Sequence, residues 1–223
     1  LCSITAGPDR LDERKQMGRI VVTEYISIDG VIEAPGGDED YEHVNWVFQF
    51  DRGEEGQKFK DDEVSDSEAL LLGRITYEAF APAWPKREGE VADKFNAMPK
   101  YVISKTLVNP GWNNTTVLGG DAVDEAKALK QRIDGDIVIH GSAQLARALL
   151  AAGLVDELRL MVFPVVLGHG KTLFDGNGKK RLMPLREART VGDGITILRY
   201  GRSAPSHEQR GGDPPATAVP PPR

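Results

Sequence analysis

Residues 136–158 read DIVIHGSAQLARALLAAGLVDEL, and this stretch decides the fold. Asp136–His140 is a short apolar run suited to a buried strand. Gly141 and Ser142 interrupt it. The apolar positions then move to Leu145, Leu149 and Leu150, a helical spacing, until Gly153 ends the run. Ser142 stands where an N-cap belongs, so its hydroxyl is expected to cap the helix. Strand character resumes at Glu157–Phe163. Strand, helix, strand is the unit that joins two parallel strands.

The same alternation runs outward in both directions. Arg19–Ile26 (RIVVTEYI) is β-branched and strand-like. Glu54–Asp66 reads as a polar surface helix, Ala69–Leu72 as a buried strand, and Ile75–Phe80 as a helix stopped near Pro82 and Pro85. Tyr101–Ser104 and Thr115–Leu118 read as strands. Asp121–Ile133 is a helix, with Ala122, Ala126, Leu129 and Ile133 on one face. Ala188–Val191 and Ile195–Tyr200 flank Gly192-Asp193-Gly194, a hairpin signal. The expectation is an α/β domain: a mixed, mainly parallel central sheet flanked by helices, with a C-terminal antiparallel hairpin.

Composition agrees. The chain has 223 residues, 40% hydrophobic and 28% charged, which suits one globular domain. Residues 1–16 lack periodicity and residues 203–223 are rich in proline, so both tails are expected to be disordered around a core at 17–202. A formal net charge of -6 argues against a nucleic-acid binder. Nothing resembles a membrane span or a secretory leader, so the expected location is cytoplasmic. The single cysteine, Cys2, permits neither an internal disulfide nor a cysteine-based zinc site. His43, His140, His169 and His207 show no metal-ligand spacing, and no metal is expected.

In such sheets ligands bind beyond the carboxyl ends of the strands. Leu72-Gly73-Arg74-Ile75-Thr76 is one strand-to-helix junction, with helix-start amides, a cation and a hydroxyl for an anion. Ser104 and Lys105 end a second strand and suit a phosphorylated ribose. Gly141, Ser142, Ala143 and Gln144 form a third junction. The first strand ends in Ser27-Ile28-Asp29-Gly30, where a carboxylate could orient a polar substrate. The common G-x-G-x-x-G fingerprint is absent. Gly170-Lys171-Thr172 fails as a phosphate loop, because Val165 occupies the place of the required glycine.

Taken together the junctions resemble the dihydrofolate reductase superfamily, in its bacterial branch shared with the C-terminal reductase domain of riboflavin biosynthesis. The matching segments are 27–32, 71–78, 99–104, 141–143, 153–158 and 164–171, in that order. The resemblance implies a dihydrofolate reductase-like sheet and NADPH as cofactor. It places Gly73, Arg74 and Thr76 at the cofactor phosphates, Ser104 and Lys105 at the adenosine 2′-phosphate, and Gly141, Ser142, Ala143 and Gln144 at the pyrophosphate and nicotinamide side. Ile28, Asp29 and Gly30 would line the nicotinamide and substrate pocket. Where the riboflavin reductases carry an acidic residue before their glycine pair, this chain has His140.

The expected activity is hydride transfer from NADPH to a C=N or C=O of a small polar, heterocyclic substrate. Asp29 and Asp51 are the candidate carboxylates for the proton. A homodimer is expected from the relatives and from the apolar run Leu158–Val166. The alternatives are a module that binds NADPH without turnover and a structural relic of the fold.

Overall fold

The computed structural model describes residues 17–37, 40–176, 178 and 180–202. The tails expected to be disordered, 1–16 and 203–223, lie outside the described residues. Among the described residues, eight strands and five α-helices follow one another: β1 (Arg19–Ser27), α1 (Gly53–Ser65), β2 (Ser67–Gly73), α2 (Arg74–Ala83), α3 (Glu90–Ala97), β3 (Lys100–Ile103), β4 (Thr115–Leu118), α4 (Ala122–Arg132), β5 (Asp136–His140), α5 (Ala143–Ala152), β6 (Val155–Phe163), β7 (Leu185–Val191) and β8 (Ile195–Gly201).

One sheet holds all eight strands in the order β4-β3-β2-β5-β1-β6-β8-β7. The first six are parallel; β8 runs antiparallel to β6, and β7 to β8. The chain moves outward from β2 to β4, then returns to slot β5 between β1 and β2. That reversal makes the carboxyl ends of β1, β2 and β5 the place where a crevice belongs.

Central parallel strands are greasy on both faces because helices cover both. Ile20, Val22 and Ile26 of β1 join Leu71, Ile137 and Ile139 in a cluster sealed by Ala126 and Leu129 of α4 and by Leu145, Ala146 and Leu149 of α5. The opposite parity of residues, Leu70, Leu72, Val102 and Val138, packs with Val64 of α1, Tyr77 of α2 and Phe95 of α3. Asp121 caps α4 by accepting from the Val123 amide at 2.9 Å, with acidic residues in its first turn and Lys130 and Arg132 in its last. Gly153 ends α5 in the left-handed region, as its position predicts.

α2 ends at Ala83, between Pro82 and Pro85 as expected; Pro82 sits inside the last turn, where only the Glu78 carbonyl forfeits its partner, and a 3-10 turn at Trp84–Lys86 follows. Three readings need correction. The sequence reading has no counterpart of α3, which is held by Phe95 stacked on Trp84 at 3.9 Å between centroids. Ser142 occupies the N-cap position of α5 but makes no side-chain cap. The apolar residues of β6 give no argument for a dimer: β6 lies between β1 and β8, and its Leu158, Met161 and Phe163 fill the core of a single chain.

Candidate functional site

Two of the expected junctions are interlocked. The Ser142 hydroxyl accepts from the Gly73 amide at 2.9 Å, linking the end of β2 to the start of α5. In the other direction, a Cβ on Gly141 would lie 3.5 Å from the Thr76 methyl and 3.6 Å from its hydroxyl. Gly141 and Ser142 are both left-handed, at φ 61° and 60°. For serine that conformation costs on the order of 1 kcal/mol, and such residues concentrate at ligand sites. Neither α2 nor α5 has a side-chain cap, so the first-turn amides at both starts are left for an anion.

The other predicted cofactor residues flank this pair. Arg74 is exposed and bridges to Glu78 at 2.7 Å along its own helix, so its guanidinium is already at the surface of α2. Ser104 accepts from the amides of Thr106 (3.1 Å) and Leu107 (2.9 Å), which folds the turn after β3 and leaves its hydroxyl proton to give. Lys105 is exposed on that turn and has no ion pair among the described residues. Ala143 and Gln144 open α5.

At the end of β1, Ile28 is 63% exposed and Gly30 is left-handed at φ 86°. Asp29 accepts from the Ser27 hydroxyl (2.6 Å) and from the amides of Leu167 (3.2 Å) and Gly168 (2.7 Å). The Ser27 hydrogen bond, then those amides, hold its carboxyl below the ordinary range. It is an ionised clamp between β1 and the chain beyond β6. Asp51 has a separate setting. It accepts from the Gly53 amide (2.8 Å) at the start of α1, and its backbone pairs with Asp193 in the hairpin turn. Gly192 is required there, since a Cβ would fall 2.0 Å from the Asp51 carbonyl. Asp51 also lines an open groove of ≈ 910 Å³ with Phe48, Phe50, Arg52 and Gln57. The two carboxylates share no partner.

Sequence reasoning missed a buried polar cluster beside the interlock. Thr23 donates to Glu63 at 2.7 Å and accepts from Lys60 at 3.0 Å, and Lys60 pairs with Glu63. Lys60 also lies 4.9 Å from the centre of the Tyr25 ring, whose hydroxyl accepts from Arg52 at 2.6 Å. Burial opposes the Lys60 ammonium, but Glu63, Tyr25 and Glu24 outweigh it and hold its pKa above the ordinary value. Glu24 of β1 is 5% exposed and leaves Oε1 buried without a partner, with the Gly141 amide near enough to favour its charged form. Burial pushes its carboxyl up to about 8, against the opposing pull of Lys60. His140 Nε2 is likewise buried and unpartnered, and burial, then Lys60 and Arg159, keeps the imidazole neutral. The only sequence signal for Glu24 was a lone carboxylate in a strand buried on both faces.

Three comparisons bear on this geometry. The profile described as the RibD C-terminal domain matches residues 19–197. An uncharacterized Bacillus subtilis protein, YyaP, is 29% identical over 188 residues, covering 82% of this chain and 94% of its own. Among solved structures, a protein assigned to riboflavin biosynthesis in Shewanella sp. PV-4 superposes with a TM-score of 0.68 at 20% identity, covering 83% of this chain and 99% of that one. The Acinetobacter baumannii RibD protein superposes with a TM-score of 0.58 at 16% identity, over 84% of this chain and 58% of that one. These structural likenesses establish the fold.

Proposed function

This chain belongs to the RibD C-terminal domain family of reductase-like domains, and from that premise we propose that it is an NADPH-dependent reductase. Its substrate class is a small polar heterocycle with a C=N or C=O bond. The observation that carries this reading is the Gly73–Ser142 hydrogen bond, which joins the end of β2 to the start of α5. It presents two uncapped helix starts side by side at the sheet reversal, and a pyrophosphate takes two such sets of amides.

When bound, NADPH supplies the hydride. The residues fit that group. Gly73, Arg74 and Thr76, with Gly141, Ser142, Ala143 and Gln144, hold its phosphates, and the absence of a Cβ at Gly141 lets backbone approach closely. Ser104 and Lys105 receive the 2′-phosphate. Ile28, Asp29 and Gly30 shape the substrate side, with Asp29 positioning the end of β1 through its three hydrogen bonds.

Reduction also needs a proton, and an ionised Asp29 with donors on both oxygens does not hold one at neutral pH. Glu24 is the candidate donor: burial raises its carboxyl to about 8, which favours the protonated form near neutral pH, and its Oε1 is buried without a hydrogen-bond partner. If that proton passes to the nitrogen or oxygen of the reduced bond, the nearby Lys60 ammonium would stabilise the Glu24 carboxylate left behind.

Dinucleotide titrations followed by fluorescence test the reading. A charge-assisted contact of about 1.5–3 kcal/mol predicts that NADPH binds about 10- to 150-fold tighter than NADH. Lys105→Ala removes most of that preference and leaves NADH unchanged, whereas Arg74→Ala weakens both. Equal binding of the two cofactors removes the 2′-phosphate assignment, and binding of neither removes the reading. Binding without consumption across a panel of carbonyl and imine heterocycles marks a non-catalytic module.

A further inference from the structure

The connection after β1 and the connection after β6 meet again beyond the Asp29 clamp, at three side chains that the reductase reading does not use. Glu42 and His43 come from the first, His169 from the second. Each offers one ligand atom, and these atoms all lie within 4.8 Å of one another. The His169 Nε2 and Glu42 Oε2 atoms are 3.7 Å apart, and the two imidazole centroids 5.1 Å apart.

We propose that Glu42, His43 and His169 bind a zinc-class divalent cation. Ligands about 2.0–2.2 Å from a tetrahedral zinc stand about 3.3–3.5 Å from one another, so small side-chain rotations close the set. The ligand chemistry selects the ion. Two imidazole nitrogens and one carboxylate suit Zn²⁺ and its neighbours Co²⁺, Ni²⁺ and Cu²⁺, whereas Mg²⁺ and Ca²⁺ require oxygen donors. Three protein ligands leave a fourth position open, and side-chain exposures of 56% at His169 and 72% at Glu42 give an ion a way in.

The backbone that carries these ligands is already pinned. Tyr41 donates from its hydroxyl to the His169 carbonyl at 2.7 Å. Gly170, at φ 125°, packs so tightly that a Cβ would lie 2.7 Å from Val31 and 2.9 Å from the Tyr41 hydroxyl. The Lys171 amide donates to Glu33 at 2.9 Å, and the Ile32 amide donates to the Lys171 carbonyl at 2.9 Å. Backbone ordering at His169 therefore opposes binding little, and the main entropy cost is that of fixing the exposed side chains. The local charge also favours a dication. Glu33 and Glu42 are close by, and the neighbouring cation, Lys171, is paired with Glu33. His43 and His169 lie far apart in sequence, so no ligand spacing announced the cluster.

An ion held here ties the chain after β1 to the chain after β6, and its effect is measurable whether or not the protein reduces anything. The test is calorimetric titration of the tag-free, chelator-treated full chain with ZnCl₂, with MgCl₂ as control. One equivalent of zinc is expected to bind and magnesium is not. His43→Ala and His169→Ala should each weaken zinc binding at least about tenfold, and His207→Ala should leave it unchanged. A hundredfold excess of zinc over Kd should raise the melting temperature of the parent by about 5–10 °C, and should not do so in the two histidine variants. Because Glu42 and His169 are exposed and His43 is only half-buried, the variants should melt close to the parent without metal; Glu42→Gln provides a second, milder lesion. Absence of saturable zinc binding overturns the proposal, as does zinc binding that survives loss of either histidine.

Discussion

The two ends of the parallel sheet bury Glu157 and Glu24 in opposite ways. At the amino ends of β1, β5 and β6 the acids meet bases, although burial still raises the Asp136 carboxyl against the pull of Arg19 and Arg159. Glu157 of β6 accepts from Arg19 at 2.6 Å, Arg159 at 2.7 Å and Arg199 at 2.8 Å, and Arg19 reaches Asp136 of β5 at 3.1 Å. Asp156 pairs with Lys130 and accepts from the Ile20 amide. Burial alone would raise the Glu157 carboxyl, but Arg159 and then Arg199 overwhelm it and hold it at about 2. Toward the carboxyl ends, burial wins. Glu24 stands at about 8 with one oxygen unpartnered, His140 is held neutral with Nε2 unpartnered, and Ser142 sits left-handed. A saturated network fastens strands together. An unsaturated one stores polar capacity that a ligand can use, which is why perturbed groups gather at functional sites.

The largest expected effect lies at the saturated end. Glu157→Gln removes the charge that three guanidinium groups share and leaves the buried Arg159 only its longer contacts with Asp136 (3.4 Å) and Glu63 (3.9 Å), so stability in urea at pH 7 should fall by about 3 kcal/mol. A depressed carboxyl contributes stability that is present above about pH 4.5 and is lost as pH falls toward about 2. The variant should therefore show a flatter acid limb than the parent. Unchanged urea midpoints would break the contrast between the two ends.

Glu24→Gln should act in the opposite sense. The Glu24 pKa is raised on folding, so its favourable contribution is full below about pH 4.5 and is lost as pH rises to about 8. Glutamine keeps the shape and has no charge to bury. The variant should be more stable than the parent by about 2–3 kcal/mol at pH 8, and close to it at pH 5. Destabilisation at pH 8 would mean that the carboxylate has a partner there and that this end is as saturated as the other.

Ser142→Gly should have the smallest effect. Relief of the left-handed serine gains about 1 kcal/mol, and loss of the Gly73 hydrogen bond costs about the same, so the urea midpoint should hardly move. A loss of several kcal/mol would show that the interlock also holds the fold together.

Much of this was legible in residues 136–158, because apolar periodicity is a local property and each element carries its own. The strands, the α4 and α5 helices, the hairpin at Gly192–Gly194 and the strand-to-helix junctions all follow from it. The errors arose where a distant partner overrules local propensity. α3 packs against the Trp84 ring, and the Ser142 hydroxyl turns from its own helix to the Gly73 amide across the sheet reversal.

The sequence by itself determined the class of fold, its covalent order of strands and helices, and the three glycine- or serine-bearing junctions, since these depend on neighbours along the chain. Tertiary structure alone decided the ionisation of the acids. Asp29, Glu24 and Glu157 are all carboxylates, yet one is a clamp, one a proton store and one an anchor. Solvent and charge partners set a pKa, and both arrive from elements far away in sequence: the Gly168 amide for Asp29, the Gly141 amide and Lys60 for Glu24, Arg199 for Glu157. The meeting of His43 with His169 has the same origin, because only packing of the two connections brings their rings together.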